Sequence, residues 1–597
     1  MPEYLGINID YSRDKLFDEV GLKRLRDSYM TPEEKSPQER FAFVSKAFSS
    51  NNEHAQRLYN YSSKHWLSYS TPVLSYGRSA KGMPISCFLV WVEDSAEGLV
   101  NSLSETNWLS MLGGGVGIGM GIRSAGEKST GVLPHLKIYD ASSLAYRQGT
   151  TRRGSTAVYL PINHPDIEMF LEMRKPSGDP NMRAMNLHHG INITDDFMQI
   201  IENCMINPDA DDKFELKDPN TSVVKKVVSA KELWQRIIEL RTHTGEPYLH
   251  FIDTSNNALP YFLKEKGLRV RQSNLCSEII LPTDKDRTAV CCLSSVNLEY
   301  YDEWKNNELF IADIAEMLDN VLQKFIDTAP DTIARAKYSA AQERSIGVGA
   351  LGFHAYLQLR NIAFESGEAL YVNENMFEHI SNKLMEANLR LGKERGEAPD
   401  AVGTGRRFSH TMAIAPNAST SIIMGNTSAS IEPYPANAYR QDTLSGASFN
   451  VNRSLLNVLK EKCKEYNLNI DDVITDIMSH SGSVQHLNFL DDHTKKVYKT
   501  AIEIDQRWVV EHAAVRQQYI DQGQSVNLFF APTASIKYLH AVHFLAWKKG
   551  LKALYYCRSE KLQTADILSQ QIERKIIEEL SMEDLVNEEA SCIACEG

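Results

Sequence analysis

The strongest constraint on the fold of this chain is an alternation of short apolar runs with longer stretches of helix-forming residues. Strands joined by helices form mainly parallel sheets, because a parallel pair needs a long crossover connection. No repeat of fixed period accompanies the alternation, which excludes a solenoid or a propeller. The sequence therefore predicts an α/β fold, with strands at residues 85–92, 158–161, 190–193, 345–349, 412–415 and 526–531.

The two ends of the chain differ from this central part. Residues 1–70 are polar and rich in helix formers, which predicts a short helical region. Residues 571–597 carry eight acidic and two basic side chains and no aromatic one, which predicts a mobile acidic tail. We therefore expect three parts, at residues 1–70, 71–570 and 571–597.

Three local signals mark the start of the central part. Residues 71–74 (TPVL) have the composition of a buried strand. Asp94 and Ser95 predict the start of a helix that runs to about Met111. Residues 113–123 (GGGVGIGMGIR) contain too many glycines for a helix.

The net charge and the cysteine count indicate which partners the protein can bind and in which compartment it works. Lysine and arginine number 64 and aspartate and glutamate 77, so the net charge of −13 disfavours a polymeric nucleic acid or an anionic membrane as partner. We expect no membrane-spanning segment and no signal peptide, because the necessary apolar runs are missing. Nine cysteines, an odd number in a chain without an export signal, predict a reducing, cytoplasmic location.

The segment QSNLCSE at residues 272–278 combines an amide, a thiol and a carboxylate. Asn274, Cys276 and Glu278 alternate, so an extended segment would place the three side chains on one face. Such a set could orient a substrate, carry sulfur chemistry and accept a proton. The simpler interpretation is a polar turn with a buried cysteine.

Other cysteines could form redox pairs. Cys87 and the Cys291–Cys292 pair lie in strand-like runs, where they are either small core residues or a dithiol whose halves face each other. Cys592 and Cys595 form a CxxC near the end of the acidic tail. A dithiol shuttle explains this pair better than half a zinc site, because no second pair of ligands is present; two incidental thiols remain possible.

Two further segments have both a functional and a structural interpretation. Residues 414–423 (IAPNASTSII) pass from an apolar strand through a hydroxyl-rich turn into a helix, which suits a phosphate or a simple N-cap. Tyr555 and Tyr556 are either ordinary strand aromatics or a stacked pair that relays an electron and a proton.

Three weaker patterns are set aside. Residues 347–352 spell GxGxxG, but the segment before them is a poor strand. Residues 121–129 nearly spell a phosphate-binding loop, yet Glu127 occupies the position of the required lysine. His540 and His543 have no third ligand nearby in the sequence and are interpreted as core or surface histidines.

Together and in this order, the motifs resemble the large catalytic subunit of class I ribonucleotide reductase. They span nearly the whole chain, and they are TPVL at 71–74, ISC at 85–87, QSNLCSEI at 272–279, CCLSSVNL at 291–298, IAPNASTS at 414–421, GNTSASIEP at 425–433, APTASIKYLHAVHFLAWKKGLKALYY at 531–556 and the terminal CxxC.

The resemblance implies a fold and a reaction. The fold would be a ten-stranded α/β barrel of two antiparallel-packed, five-stranded parallel halves around a central finger loop. Cys276 would carry a thiyl radical that takes the 3′ hydrogen of a ribonucleoside diphosphate, Glu278 would accept the 3′-hydroxyl proton, and Asn274 would orient the ribose. Cys87 and Cys291 would supply two electrons; Cys291 is chosen over its neighbour because CxLS matches the family spacing from this position.

The resemblance also implies partners. Cys592 and Cys595 would re-reduce the internal disulfide and would themselves be reduced by thioredoxin or glutaredoxin. Tyr555 and Tyr556 would relay the radical from a separate small subunit, whose metal cofactor generates it. This chain would hold no metal of its own apart from magnesium accompanying a dNTP or ATP effector, and it would form a homodimer.

Two groups of ligand-binding residues follow from the same resemblance. The residues expected to hold the substrate are Thr71, Ser86, Gly115, Asn417, Ala418, Ser419, Thr420 and Ser421. Those expected at the effector site beside the dimer interface are Asp94, Ser95 and Arg123, with Arg183 in a 175–185 loop that relays the identity of the effector base.

The chain departs from the family pattern in two places. Asn417 stands where the family's phosphate turn usually has threonine, so we expect the backbone donors to remain and the hydroxyl contact to be lost. Only about 70 residues precede TPVL, too few for the N-terminal ATP-cone of many relatives, so we expect no overall-activity site in this chain. The alternatives are a dinucleotide-dependent oxidoreductase using residues 347–352 and a nucleotide-sensing scaffold without chemistry.

Overall fold

The structure is a computed structural model that describes residues 2–78, 82–146, 155–443 and 446–559. The predicted dithiol at Cys592 and Cys595, and the acidic tail that carries it, lie outside these described residues. The division of the chain at residues 70 and 570 stays a prediction.

The strands are short, and most of those between residues 87 and 351 belong to one sheet. In chain order they are Glu3–Tyr4 (β1), Ile7–Asn8 (β2), Leu67–Tyr69 (β3), Cys87–Val92 (β4), Gly115–Met120 (β5), Thr156–Pro161 (β6), His188–Ile193 (β7), Lys213–Lys217 (β8), Val224–Ser229 (β9), Tyr248–Phe251 (β10), Ala289–Asn297 (β11), Ile346–Leu351 (β12), Ala438–Thr443 (β13), Gly446–Val451 (β14), Leu528–Phe530 (β15), Ala553–Leu554 (β16) and Cys557–Ser559 (β17).

Helices precede, connect and follow these strands. They are Glu19–Ser28 (α1), Pro37–Ala47 (α2), Asn52–Ser63 (α3), Thr71–Leu74 (α4), Ala96–Met111 (α5), Val132–Ala145 (α6), Ile167–Glu172 (α7), Asp195–Ile206 (α8), Ala230–Thr244 (α9), Ile252–Asn257 (α10), Tyr261–Glu265 (α11), Tyr301–Trp304 (α12), Phe310–Thr328 (α13), Ala334–Glu343 (α14), Phe353–Leu359 (α15), Gly367–Arg395 (α16), Ala418–Ile423 (α17), Arg453–Glu465 (α18), Ile470–Ser479 (α19), Asp492–Val497 (α20), Gln506–Gln517 (α21) and Ile536–Lys548 (α22).

The main sheet contains two sets of parallel strands that meet antiparallel. Strands β4, β5, β6, β7 and β10 pair in parallel in that order, which makes the first half. Strand β11 pairs antiparallel with β4 and in parallel with β12. The change of direction between β4 and β11 therefore marks the boundary between the halves.

The second half continues beyond β12 through single bridges rather than full ladders. Val348 bridges in parallel to Met412, and Ile414 bridges in parallel to Gln524. Strand β15 then pairs in parallel with β17, while β16 pairs antiparallel with β10 of the first half. The strands thus return to the first half, and the expected α/β barrel of two antiparallel halves is confirmed.

The expectation of a strand at residues 71–74 is wrong, because these residues form the short helix α4. Ser70 is extended and precedes the helix, and Pro72 lies in the first turn, where its fixed φ and missing N–H are tolerated. All four side chains are buried, so their apolar composition reflects burial and not a strand.

The apolar core is continuous from the N-terminal helices into the barrel. Side chains from α2 and α3, including Phe41 and Leu58, belong to the same buried cluster as Val116 of β5 and Ile191 of β7. A smaller cluster packs separately between α18, α19 and β13, around Leu455 and neighbouring residues. The first helices therefore pack against the barrel and are not a detached module.

Candidate active site

The segment that contains Cys276 is a loop between α11 and β11, and its tip is a turn rather than an extended strand. Leu275 and Cys276 form the turn, and Ser277 has φ of +68°, a conformation that non-glycine residues rarely adopt. Asn274, Cys276 and Glu278 are each only 1% exposed. The tip is thus enclosed even though it has no regular secondary structure.

Glycines of β5 let the loop lie directly against the barrel wall. A Cβ at Gly117 would stand 2.1 Å from the carbonyl oxygen of Ser273 and 2.7 Å from the Cα of Asn274. A Cβ at Gly119 would stand 2.8 Å from the amide group of Gln272. The glycine-rich run that the sequence excluded from a helix is therefore a strand whose missing side chains make room for the loop.

Hydrogen bonds tie the loop to both halves of the barrel. On the first half, the Tyr159 hydroxyl donates to the carbonyl of Asn274 at 2.6 Å. On the second, the Ser525 hydroxyl donates to the carbonyl of Cys276 at 2.6 Å, and the Gly523 amide donates to the carbonyl of Glu278 at 2.8 Å. The loop is therefore fixed between the halves, inside the barrel.

Glu278 is a buried carboxyl group suited to accepting a proton. Burial raises its pKa to about 7, although hydrogen bonds from Asn274 and Ser525 act in the opposite direction. The Ser525 Oγ lies 3.1 Å from Glu278 Oε2. A pKa near neutrality is the value at which a carboxylate is an effective general base.

Cys87 and Cys291 face each other across the boundary between the two halves. Cys291 of β11 pairs directly with Cys87 of β4, and directly opposed residues of an antiparallel pair have Cα atoms about 4.5–5.5 Å apart, within the range a disulfide spans. Neither cysteine forms a disulfide in the structure, and burial raises the pKa of Cys291. Cys292, one position along the strand, donates instead to the carbonyl of Leu318 on α13 at 3.4 Å.

Tyr555 and Tyr556 form an aromatic cluster beside Cys276. The Tyr555 hydroxyl lies 3.7 Å from Cys276 Sγ, and the two tyrosine rings have centroids 4.3 Å apart. Tyr248 of β10, which sequence reasoning did not select, packs against both rings at 4.8 and 5.2 Å. The aromatic cluster therefore reaches from the thiol to Tyr556.

One short segment holds both the thiol loop and the tyrosine pair. Besides the Ser525 contact with Cys276, the Tyr555 amide donates to the carbonyl of Val526 at 2.8 Å, and the Tyr556 amide donates to Asn527 Oδ1 at 3.2 Å. We call residues 524–528 the bridging segment. It fixes the position of Tyr555 relative to Cys276.

A buried charged group lies beyond Tyr556. His188 Nδ1 is 3.4 Å from the Tyr556 hydroxyl and 2.5 Å from Glu246 Oε1. Burial alone would raise the pKa of Glu246, but Arg174 and His188 hold it well below its usual range. None of these groups was selected from the sequence, because they lie on separate elements.

The turn at residues 417–421 begins helix α17. Asn417 has φ of +55°, and its side-chain amide donates to Ser295 Oγ at 3.0 Å and to the carbonyl of Ala350 at 3.1 Å. Its side chain therefore fastens the turn to β11 and β12. Ala418 and Ser419 begin the helix, and the first amides of a helix have no intrahelical acceptor.

The hydroxyl groups of this turn have different partners. Thr420 and Ser421 donate to carbonyls within the turn, those of Asn417 and Ala418. Ser419 accepts a hydrogen bond of 2.9 Å from Arg24 of α1. The N-terminal helices therefore touch the turn directly.

The remaining substrate residues expected from the sequence surround the cysteine pair and the start of α4. The Ser86 carbonyl accepts from the Gly115 amide at 2.6 Å, and Gly115 pairs with Cys87 between β4 and β5. Thr71 Oγ1 lies 3.2 Å from the Tyr29 hydroxyl.

The expected effector residues fall into two groups. Arg123 and Asp94 form an ion pair of 2.5 Å, and Ser95 caps α5 by accepting from the Gly98 amide at 3.0 Å. Among the described side chains, Arg183 makes no hydrogen bond to this group; its Nε donates instead to the carbonyl of Ser177 at 3.0 Å. Arg183 lines a cavity of about 390 Å³ together with Glu168, Met169, Glu172, Asp179, Met182 and Arg236.

The weaker sequence patterns have structural explanations. Gly347 and Gly349 lie within β12, not in a turn before a helix, and a Cβ at Gly347 would be 3.1 Å from Cys291 Sγ. His543 is buried and accepts from Arg241 Nε at 2.9 Å, while His540 accepts from Trp234 Nε1 at 2.9 Å. These residues therefore have packing roles.

A cluster of possible metal ligands lies outside the barrel interior. Asp476, His480 and His486, beside α19, offer three ligand atoms within 4.8 Å of one another, and they belong to the region of the smaller apolar cluster rather than to the barrel interior. None of the helices over residues 2–78, 82–146, 155–443 and 446–559 combines the length and apolarity needed to cross a bilayer.

Comparison with known proteins finds relatives along nearly the whole chain. The family model "Ribonucleotide reductase, barrel domain" matches residues 85–404 and 398–557, and "Ribonucleotide reductase, all-alpha domain" matches residues 15–82. The chain is 51% identical over 608 residues to the ribonucleoside-diphosphate reductase large subunit of Invertebrate iridescent virus 3, covering 94% of this chain and 96% of that protein.

Two further relatives extend the comparison. A putative ribonucleoside-diphosphate reductase large subunit of Frog virus 3 is 47% identical over 547 residues, covering 91% of this chain and 92% of that protein. The class Id ribonucleotide reductase alpha subunit of Actinobacillus ureae is a solved structure with a TM-score of 0.79 and 32% identity, covering 92% of this chain and 98% of that one.

Proposed function

Since this chain belongs to the ribonucleotide reductase family as a large subunit, an enzyme of ribonucleotide reduction, we propose that it reduces ribonucleoside diphosphates to 2′-deoxyribonucleoside diphosphates through a thiyl radical on Cys276. The observation that carries the proposal is the position of Cys276. The residue is 1% exposed, its sulfur lies 3.7 Å from the Tyr555 hydroxyl, and it shares the barrel interior with Glu278 and the Cys87–Cys291 pair. An enclosed site protects a radical from water.

The reaction divides between these groups. Cys276 takes the 3′ hydrogen, Glu278 accepts the 3′-hydroxyl proton, and Asn274 orients the ribose. The 2′ hydroxyl leaves as water, and Cys87 and Cys291 supply the two electrons and two protons as they become a disulfide. Glu278 then returns the proton to O3′, and Cys276 returns hydrogen to C3′ and regains its radical. The raised pKa of Cys291 supports this scheme, because it keeps a hydrogen on the sulfur until it is needed.

The radical itself would come from a small subunit whose metal cofactor generates it. Tyr556 and Tyr555 would pass it to Cys276, each ring moving one electron and one proton. The 4.3 Å ring contact and the hydroxyl–thiol contact support this direction of transfer. Tyr248 would exclude water from the path, since it packs against both rings.

Regeneration, location and regulation complete the proposal. Cys592 and Cys595 would re-reduce the internal disulfide and receive electrons from thioredoxin or glutaredoxin in the cytoplasm. A dNTP or ATP effector with magnesium would bind near Asp94, Ser95 and Arg123, and Arg183 in the 175–185 loop would relay its identity.

A homodimer interface beside this effector site is supported by apolar side chains on α5 and α6. Val100 and Trp108 on α5, and Ile138 and Leu144 on α6, are exposed in the single chain. A second copy would cover them.

The test uses the chain together with its small subunit. Cys276→Ser and Tyr555→Phe should both reduce turnover of a nucleoside diphosphate below detection, while the affinity for substrate and effector stays unchanged. Cys204→Ser, which changes a thiol outside the barrel interior, is the matched control and should retain turnover. Residual turnover by Cys276→Ser would refute the radical role of this sulfur.

A further inference from the structure

The residues expected to hold the substrate phosphates carry no positive charge. Thr71, Ser86, Gly115 and the 417–421 turn offer only hydroxyl, amide and backbone donors. A nucleoside diphosphate carries several negative charges at neutral pH, and buried anions are normally paired with a cation. The turn therefore lacks the cation that a diphosphate site normally contains.

Arg24 of α1 is positioned to supply it. Its Nη2 donates to Ser419 Oγ at 2.9 Å, so the guanidinium lies against the turn. Its Nε is buried and has no hydrogen-bond partner. Within the described ranges, Arg24 forms no ion pair with a carboxylate, and its guanidinium donates to Ser419.

Such an arrangement is costly unless an anion completes it. A buried donor without an acceptor destabilises a protein, and a guanidinium normally satisfies its planar donors with a carboxylate or a phosphate. A phosphate oxygen bound at the turn would give Arg24 Nε the acceptor that it lacks. The pair of adjacent N–H groups, Nε and Nη2, is the edge that binds phosphate in a bidentate manner.

Close packing holds α1 in this position. A Cβ at Gly21 would stand 2.9 Å from the carbonyl oxygen of Ile422 in α17, so the two helices approach closely at a glycine. Near the other end of α1, the Tyr29 hydroxyl lies 3.2 Å from Thr71 Oγ1. Helix α1 and the residue that follows it thus touch two separate parts of the expected substrate site.

We propose that Arg24 is a substrate-binding residue that neutralises the diphosphate held at the 417–421 turn. This inference rests on the proposed function, because it assigns a cation to that same substrate. The N-terminal helices then contribute a ligand to the site and are not only a support for the barrel.

The test compares a diphosphate with a monophosphate. CDP and CMP binding would be measured by calorimetry on the full chain for the wild type, Arg24→Gln, Arg24→Lys and, as a control, Arg26→Gln, an exposed arginine of the same helix. Arg24→Gln should weaken CDP about tenfold to a hundredfold, the usual range for a charged hydrogen-bonding group. CMP should change less than threefold, Arg24→Lys should recover part of the loss, and Arg26→Gln should bind like the wild type.

The outcomes separate the two levels of the proposal. Equal losses for CDP and CMP, or no loss at all, would mean that Arg24 only fastens α1 to α17 and would overturn the inference. Failure of the wild type to bind or reduce CDP would instead refute the proposed function.

A measurement on the unaltered chain avoids dependence on the folding of the variants. Modification of Arg24 by phenylglyoxal, followed by peptide mass spectrometry, should be slowed by CDP and not by CMP. Equal rates with and without CDP would overturn the inference.

Discussion

The contact between Gly117 and the Cys276 loop gives a prediction whose size follows from the structure. In Gly117→Ala, the new Cβ would lie 2.1 Å from the carbonyl oxygen of Ser273, whereas ordinary contacts begin near 3.4 Å. The loop must therefore retreat by about 1.3 Å or β5 must bend, and both alternatives move backbone. Overpacking of this kind costs about 1–3 kcal/mol of stability.

The effect on turnover should be larger than the effect on stability. A displacement of about 1 Å at a reacting group can reduce a rate about a hundredfold. The displaced loop would have to break its hydrogen bond with Ser525, whereas Tyr555 would keep its own hydrogen bond to Val526, so Cys276 would lose its 3.7 Å contact with the Tyr555 hydroxyl. We expect Gly117→Ala to fold, to melt at a lower temperature, and to retain about 1% of wild-type turnover.

Two glycines provide the controls, and turnover with the small subunit and thermal unfolding are the assays. At Gly119 the new Cβ would meet the Gln272 and Trp91 side chains at 2.8 Å, which can shift more easily than backbone, so we expect a smaller loss. At Gly126 nothing lies within 4 Å, so alanine should be neutral. A folded Gly117→Ala protein with turnover within twofold of the wild type would refute the argument that this glycine positions the loop.

Two further predictions concern the proton and the electrons. Because burial raises the pKa of Glu278 to about 7, this carboxyl group is protonated at lower pH and cannot accept a proton there. The single-turnover rate of the pre-reduced protein should therefore rise with pH up to about 7 and then level off. A flat profile from pH 5.5 to 7 would contradict the assignment of Glu278 as the base. Without an external reductant, the double variant Cys592→Ser and Cys595→Ser should form about one product per chain together with a Cys87–Cys291 disulfide detectable by peptide mass spectrometry, whereas the wild type, whose tail dithiol can reduce that disulfide once, should form about two. Cys87→Ser should form none, whereas Cys292→Ser, which changes the neighbouring thiol beside α13, should still form it.

Much of the barrel could be predicted from the sequence because its strands are local signals. The apolar runs that became β4, β6 and β12 are recognisable without knowledge of their neighbours. The TPVL helix was missed because burial on all sides gives a short helix and a strand the same composition. The apolar run at residues 412–415 was expected to form a regular strand, but in the structure it makes only isolated bridges.

The site residues that belong to a sequence motif could be predicted, whereas those that act through contacts between distant parts of the chain could not. Cys87 and Cys291 lie about 200 positions apart in the chain, and the sequence alone does not show that they face each other. Tyr248, Ser525 and Arg24 act through contacts with residues far along the chain, and a lone tyrosine, serine or arginine carries no signal of such a contact. The glycines of β5 were visible, but their purpose depends on a loop that lies more than 150 residues later.

The bridging segment has a consequence for how the enzyme tolerates motion. Ser525 hydrogen-bonds to the backbone of the Cys276 loop, and the next two residues accept hydrogen bonds from the backbone amides of the two tyrosines. One short stretch of chain therefore holds both Cys276 and Tyr555. If the barrel flexes when a ligand or a neighbouring subunit binds, we expect Cys276 and Tyr555 to move together and to keep their separation. In the proposed mechanism, this would keep motion of the barrel wall from changing the distance between Tyr555 and Cys276, on which hydrogen transfer depends most steeply.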